Sequence, residues 1–228
     1  MQQKSNANLS TSFLIITCLF VTCLLITNIV AGRLVALGGM TLTADLFLFP
    51  VTYIFGDVLT EVYGFRRARL TIWLGFAANL LMALVFIFVV SLPSPSFWDQ
   101  ESAYRTVLGF APRIVIASLI AYFVGEFSNS MILSRMKVLT AGKWLWTRTI
   151  GSTLVGEGVD TLVFMSIAFS GLYSTKIFIG MVLVQYGWKV AYEVLATPVT
   201  YYIVKRLKNR EGIDTFDHGV HYNPFAWK

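Results

Sequence analysis

Charged residues are scarce in this chain of 228 residues: only 13% are Asp, Glu, Lys or Arg, whereas 56% are hydrophobic. A soluble domain carries about twice that share of charge, ~25%. The mean hydropathy is +0.68. The composition therefore argues against a soluble domain and predicts an all-α integral membrane protein with several spans.

Cysteine and histidine are also rare, with two of each. Cys18 and Cys23 both fall in the first apolar run, and their spacing does not place them on one helical face. His218 and His221 lie in a polar segment near the C-terminus, which we expect to be a solvated tail. We therefore predict no disulfide, no metal site and no cofactor.

Several catalytic motifs are missing as well. The sequence contains no G-x-x-x-x-G-K-[ST] loop and no H-E-x-x-H, and no His falls in an apolar run. These absences exclude ATP hydrolysis by a P-loop in this chain, a zinc peptidase and an intramembrane Ser–His site. Two acids sharing one proton remain an enzymatic alternative, but we expect a protein that is not an enzyme.

Six apolar runs are long enough to cross a bilayer, which takes about 20 residues. They lie near 12–31, 45–64, 70–92, 113–134, 150–172 and 177–204. The first run is too long for the core of a signal peptide, so we interpret it as a retained helix. The predicted organisation is an N-terminal segment (1–11), a six-helix domain (12–204) and a C-terminal tail (205–228).

The basic residues support this topology. With six spans, 13 of the 18 Lys and Arg residues fall on one side of the membrane. The positive-inside rule then predicts that both termini are cytoplasmic. The net charge of +6 is explained by this asymmetry, and we predict no nucleic-acid partner.

Carboxylates interrupt the apolar runs in a recurring pattern. The segments read GDVLTE (56–61), GEFSNS (125–130) and GEGVDT (156–161), each with Gly, an acid and a polar residue three or four positions later. This spacing places the polar residues on one helical face. The sixth run adds Gln185, Lys189 and Glu193 at four-residue steps. The neighbouring glycines favour close helix approach or ligand access.

Helix depth predicts that these groups share one polar layer facing a common interior. The layer contains six acids and a single embedded base, Lys189. The acids are Asp57, Glu61, Glu126, Glu157, Asp160 and Glu193. Charges inside a membrane cost about 2.5–3.5 kcal/mol each and tend to mark ion or substrate pathways. Either several acids are protonated or the cavity awaits a cationic, donor-rich ligand.

A structural role is the alternative for each charge. Lys189 could pair with Glu193, and Arg148 with Asp160, so that both pairs lock helices. Glu61 could meet the basic cluster at 66–69 near the membrane boundary. Trp188 could stack on a flat ring of a ligand.

The segments FPVTYIFGDVLTEVYGFRRAR (49–69), RTIGSTLVGEGVDTLVFMSIAF (148–169) and VQYGWKVAYEVLATPVTY (184–201) resemble the bacterial queuosine precursor transporters, also grouped as the vitamin uptake transporter family. The resemblance extends in order over nearly the whole chain and includes the NPF at 223–225. It implies a six-helix protein of the bacterial inner membrane that imports 7-deazaguanines such as preQ0, preQ1 or queuine. It also implies recurrent polar residues at Asn28, Asp57, Arg148, Asp160 and Lys189.

The predicted substrate is therefore a small purine-like molecule, and the chain is embedded in a lipid bilayer, with a homo-oligomer left open. The residues predicted to bind substrate are Asn28, Asp57, Glu126, Glu157, Asp160, Gln185, Trp188 and Lys189. Glu61, Arg148 and Glu193 are predicted to couple protons or to lock helices. The main alternative is a substrate-binding subunit that relies on a partner ATPase of the energy-coupling-factor type.

Overall fold

The computed structural model describes residues 10–31, 33–37, 40–109, 112–171 and 174–225. Its helices are α1 (Thr11–Val30), α2 (Phe49–Tyr63), α3 (Phe65–Ser91), α4 (Glu101–Leu108), α5 (Pro112–Leu139), α6 (Leu145–Phe169) and α7 (Thr175–Glu211). Strands β1 (Leu34–Leu37) and β2 (Met40–Thr43) pair antiparallel, with Leu34 opposite Thr43. A 3₁₀ turn, Ala44–Phe47, leads from β2 to α2.

Four helices in the described part of the chain are long and apolar enough to span a membrane: α1, α3, α6 and the Val115–Leu139 portion of α5. These four helices coincide with the predicted spans near 12–31, 70–92, 113–134 and 150–172. The helices at the other two predicted spans, 45–64 and 177–204, are not among these four. Helix α2 has only 15 residues, about 22 Å at 1.5 Å per residue, because the 3₁₀ turn occupies the start of the predicted run. Helix α7 has 37 residues and carries Lys189 and Glu193 in its middle.

The connection between α1 and α2 contains a hairpin that the apolar pattern did not predict, because its strands have only four residues each. The connection after α3, between two predicted spans, contains α4. Its half-buried Glu101 and exposed Arg105 form an ion pair one turn apart.

The bundle centre is formed by α5 and α6, whose backbones approach closely at Gly125 and Gly156. A Cβ added to Gly125 would lie 3.1 Å from the Gly156 carbonyl oxygen, and one added to Gly156 would lie 2.6 Å from the Asn129 Cβ. The predicted close approach at these two glycines is therefore present. It brings the polar face of α5 directly against that of α6.

The segment that follows α7 is packed against the bundle. Residues 205–211 complete α7, and residues 212–225, here called the C-terminal strap, cross the ends of α2, α3 and α5. Asp217 is buried and accepts hydrogen bonds from the Phe65 backbone N–H (2.8 Å) and the Ser134 hydroxyl (2.6 Å). The Trp73 indole N–H donates to the Pro224 carbonyl (3.0 Å). The expectation of a solvated tail is therefore wrong for the part of the strap that contains Asp217 and Pro224.

The strap lies against Gly64, which joins α2 to α3 with φ +83°. This left-handed conformation favours glycine. A Cβ there would also come within 2.6 Å of the Thr215 side chain and 2.8 Å of Asp217 Oδ1. The turn and the strap thus fit together only without a side chain at this position. His218 remains exposed and stacks beside Phe216, with ring centroids 6.0 Å apart.

Candidate substrate and ion site

Four helices bring buried polar side chains to one interior region. On α2, Tyr53 and Asp57 lie one turn apart, and α5 contributes Glu126 and Asn129. Helix α6 contributes Glu157 and Asp160, and α7 contributes Gln185, Lys189 and Glu193. All nine are buried. We call Asp57, Glu126, Glu157, Asp160, Glu193 and Lys189 the carboxylate cluster.

Lys189 joins α7 to α6 inside this cluster. Its Nζ lies 2.7 Å from Asp160 Oδ2 and 2.9 Å from Glu157 Oε2. The same ammonium lies 4.0 Å from the centroid of the Phe49 ring at the start of α2. One cation thus serves two carboxylates and an aromatic face, in keeping with the charge-pairing that buried ions require.

The remaining carboxylates of the cluster have fewer partners. Asp57 Oδ1 accepts a hydrogen bond from the Asn129 amide at 2.7 Å, which joins α2 to α5. Both oxygens of Glu126 and both of Glu193 lack a hydrogen-bond partner among the described residues, as does the Tyr53 hydroxyl. Buried polar groups are usually satisfied, so these atoms indicate a place for a proton, water or ligand.

Glu61 lies outside this cluster, in a second group of charges. It is fully buried and accepts two hydrogen bonds from Arg148, Nε to Oε2 at 2.7 Å and Nη2 to Oε1 at 2.9 Å. Lys208 Nζ approaches Oε1 at 2.5 Å, and Lys137 Nζ lies 3.5 Å from the same atom. We call Glu61, Lys137, Arg148, Lys208 and Asp214 the Glu61 cluster.

The Glu61 cluster connects four helices and the C-terminal strap. Lys137 donates to the Glu61 carbonyl (2.5 Å), to Asp214 (2.5 Å) and to the Thr215 carbonyl (2.7 Å). Burial disfavours the charged form of Asp214, but hydrogen bonds from Lys137 and Lys208 outweigh it and lower the pKa of this carboxyl below its ordinary value of 3.8. The strap is therefore held to the bundle by charge as well as by packing.

The three pairings considered above as structural alternatives have other partners in the structure. Arg148 binds Glu61 instead of Asp160, and Lys189 binds Asp160 and Glu157 instead of Glu193. The ion pairs of Glu61 are with Arg148, Lys137 and Lys208, not with the basic cluster at 66–69. Helical spacing predicts the helical face on which each charged residue lies. It does not predict which charged residue of a neighbouring helix will be its partner.

Two predicted binding residues make their hydrogen bonds elsewhere. The Asn28 amide donates to the Leu24 carbonyl at 3.0 Å and to Asn79 of α3 at 3.1 Å. The Trp188 indole N–H donates to the Leu46 carbonyl at 3.2 Å and so ties α7 to the 3₁₀ turn. Gln185 is buried one turn before Lys189 on the same face of α7.

Sequence reasoning missed Lys137 as a member of the Glu61 cluster and Asn129 as the hydrogen-bond partner of Asp57. Lys137 lies beyond the predicted fourth span (113–134), but α5 continues to Leu139 and includes it. Asn129 shared the face of Glu126 in the GEFSNS pattern, so the signal for it was present. No group of His, Cys, Asp and Glu within the described ranges is arranged to hold a metal ion.

An open cleft of about 270 Å³ is lined by Glu61 and Arg148 of the Glu61 cluster, by Trp144 just before α6, and by α7 residues including Tyr201 and Lys205. The residues of the carboxylate cluster do not line this cleft. Each of them is at most 5% exposed, so the cluster is closed to solvent in this conformation.

Comparison with known proteins identifies the family of this chain. Residues 43–203 match the model of the family described as "Putative vitamin uptake transporter". The chain belongs to this family. The matched region contains every residue of the carboxylate cluster, together with Glu61 and Arg148.

Three curated relatives carry a more specific name. A "Probable queuosine precursor transporter" of Bacillus subtilis is 29% identical over 180 residues, covering 78% of this chain and 79% of that protein. The "Queuosine precursor transporter" of Escherichia coli is 27% identical over 79% of this chain and 82% of its own length. A "Probable queuosine precursor transporter" of Haemophilus influenzae is 26% identical over 70% and 72%. No solved structure matches.

These relatives and the apolar helices make the chain a multi-pass bacterial membrane protein with a role in transport, not an enzyme. Among the acids described above, Glu126, Glu157 and Asp160 lie on α5 and α6, within lengths that can span a membrane. Intramembrane charges of this kind are found on the pathways of substrates and ions.

Proposed function

We propose that this protein imports queuosine precursors, 7-deazaguanines such as preQ0, preQ1 or queuine, across the bacterial inner membrane. The names of the three relatives supply the substrate class. The observation that carries the proposal is the carboxylate cluster, which gathers five acids and one lysine from four helices in a region otherwise built for lipid.

The proposed topology has six spans and cytoplasmic termini. Helices α2 and α7 complete the set formed by α1, α3, α5 and α6, with the hairpin and α4 on the outer side. The distribution of 13 of 18 basic residues on the inner side supports this arrangement. Labelling of single introduced cysteines with a membrane-impermeant maleimide tests it: a cysteine at Ser102 should react in intact cells, and one at Thr140 should not.

The proposed substrate site lies between Lys189 and its two carboxylates. A deazaguanine presents adjacent N–H donors and a carbonyl acceptor on one edge. Such an edge can replace the Lys189–Asp160 contact, donating to the carboxylate and accepting from the ammonium, so that neither buried ion is left unpaired. Gln185 and Trp188 flank this position on α7.

Uptake of radiolabelled precursor tests the site in a strain that lacks its own transporter. Asp160→Asn should reduce uptake by about 100-fold or more, the scale for losing a charged hydrogen-bond partner worth several kcal/mol. Glu101→Gln, which changes a partly exposed acid on α4 outside both clusters, serves as the matched control and should transport normally. Normal uptake by Asp160→Asn at normal expression would refute the assignment. Competition among preQ0, preQ1 and queuine then identifies the preferred precursor.

A substrate-binding subunit of an ATP-driven importer is the competing function. Purified protein reconstituted alone in liposomes distinguishes the two. Uptake without ATP or a partner supports a self-sufficient carrier, whereas substrate binding without transport supports the subunit.

A further inference from the structure

We propose that Glu126 binds the proton that accompanies the substrate through this transporter. The inference rests on the proposed function and assigns one residue of the carboxylate cluster a role separate from substrate recognition. Lys189, Asp160 and Glu157 hold the substrate, and Glu126 holds the proton beside them.

The side chain of Glu126 has no partner to stabilise a negative charge. It is 1% exposed, and neither carboxylate oxygen has a hydrogen-bond partner among the described residues. The carboxylate packs against the backbone of Gly56, so closely that a Cβ at that position would overlap with Oε1. Gly56 therefore leaves no room for a side chain between α2 and the Glu126 carboxylate.

The surrounding charges also disfavour an ionised Glu126. From α2 it faces Tyr53 and Asp57, and from α5 itself Tyr122. From α6 it faces Glu157 and Asp160. An isolated buried carboxylate costs far more than a neutral one, and neighbouring acids add repulsion. Glu126 is therefore a neutral acid in this closed conformation.

The other packed helices bring little compensating charge to this position. Lys189 of α7 is already shared between Asp160 and Glu157, and Glu193 of α7 is a further acid near Asp57. Helix α3 packs near Tyr122 through Ile72 and Gly75, and its only charged residues are three arginines in its first turns. Because no cation among the described residues of these helices is placed to pair with Glu126, its negative charge is neutralised by binding a proton.

Its position next to Asp160 and Glu157 links the proton to substrate. When substrate separates Lys189 from these carboxylates, the charge that Glu126 experiences changes, and so does its affinity for a proton. By thermodynamic reciprocity, a proton on Glu126 then alters substrate affinity. The remaining acids are less suited. Asp57 is bound by Asn129 and Glu61 by three cations. Glu193 interacts with Asp57 and Glu157, whereas Glu126 interacts with both carboxylates that bind Lys189.

Proteoliposomes containing the purified protein test the proposal with two readouts. The first is net accumulation of labelled precursor under an inward pH gradient of about one unit, which supports up to about tenfold accumulation of a neutral substrate carried with one proton. The second is exchange of labelled for unlabelled precursor without a gradient. Glu126→Gln, a mimic of the protonated acid, should lose the gradient-driven accumulation and retain exchange.

One control separates this outcome from a general defect. Glu101→Gln should behave as the unmodified protein in both assays. Gradient-driven accumulation by Glu126→Gln, or accumulation by the unmodified protein that does not depend on the pH gradient, would overturn the inference while leaving the proposed function intact. Absence of any exchange by the unmodified protein would overturn the proposed function itself.

If Glu126→Gln is not monodisperse in detergent, Glu126→Asp replaces it. That variant keeps a titratable group but withdraws it from Gly56, and it should accumulate precursor with a shifted pH profile. An unchanged pH profile with Glu126→Asp would contradict the assignment.

Discussion

Replacing Glu61 with glutamine should strongly destabilise the protein. The carboxylate is fully buried and is shared by Arg148, Lys208 and Lys137, which lie on three different helices. Its removal leaves Arg148, itself 1% exposed, without its bidentate partner. Breaking a buried pair from one side costs about 3–5 kcal/mol. For a chain of this size, each kcal/mol corresponds to about 2–4 °C in melting temperature, so a decrease on the order of 10 °C is expected.

Thermal unfolding in detergent, followed by size-exclusion chromatography of heated samples, measures this effect. Glu101→Gln removes a partly exposed carboxylate paired with the exposed Arg105 and should change the melting temperature by less than about 3 °C. The double variant Glu61→Gln with Arg148→Met should recover part of the loss, because it removes the unpaired charge as well. A melting temperature for Glu61→Gln equal to that of the Glu101→Gln control would refute the reasoning.

Three further predictions concern glycine packing and the C-terminal strap. Gly56→Ala should abolish uptake because its Cβ would displace the Glu126 carboxylate, whereas Gly180→Ala, with open space around it, should transport normally in the same assay. Asp217→Ala removes the acceptor for the first backbone N–H of α3 and should lower stability by about 1–2 kcal/mol, measured by thermal unfolding. Asp214 has a lowered pKa, so its stabilising contribution is present above pH 3.8 and disappears as the pH falls through its folded-state value. The difference in melting temperature between the unmodified protein and Asp214→Asn should therefore be largest near neutral pH and vanish in strong acid; a difference that grows in acid would contradict it.

The set of charged side chains that share a helical face could be predicted from the sequence because it depends on helical spacing. The division of these side chains into two clusters, with Glu61 in the second, could not. Residues four apart occupy one face, so Tyr53, Asp57 and Glu61 had to align on α2, and Lys189 and Glu193 on α7. Depth within an apolar run then placed these faces at similar levels. Both rules are local, and they hold wherever the helix is regular.

The partners of each charge could not be predicted in the same way. Asp57 and Glu61 lie one turn apart, yet one meets the amide of Asn129 and the other meets Arg148. That difference depends on how α5 and α6 pack against α2. The local sequence pattern of a single helix does not contain this information. The strap was missed for a related reason: its polar, turn-rich composition is typical of a solvated tail, and its anchors, such as Asp217, are separated from their partners by more than 80 residues.

The C-terminal strap has a consequence for the order in which this protein is assembled. Residues 212–225 are the last of the described chain to leave the ribosome, yet they supply the acceptors for Phe65, Arg69 and Trp73 of α3. The contacts at the Phe65 end of α3, a helix inserted early in synthesis, therefore form only after translation has reached the strap. Truncated reporter fusions, a common way to map membrane topology, would lack these contacts at every fusion point before residue 212, so reporters inserted into the full-length chain are the better choice.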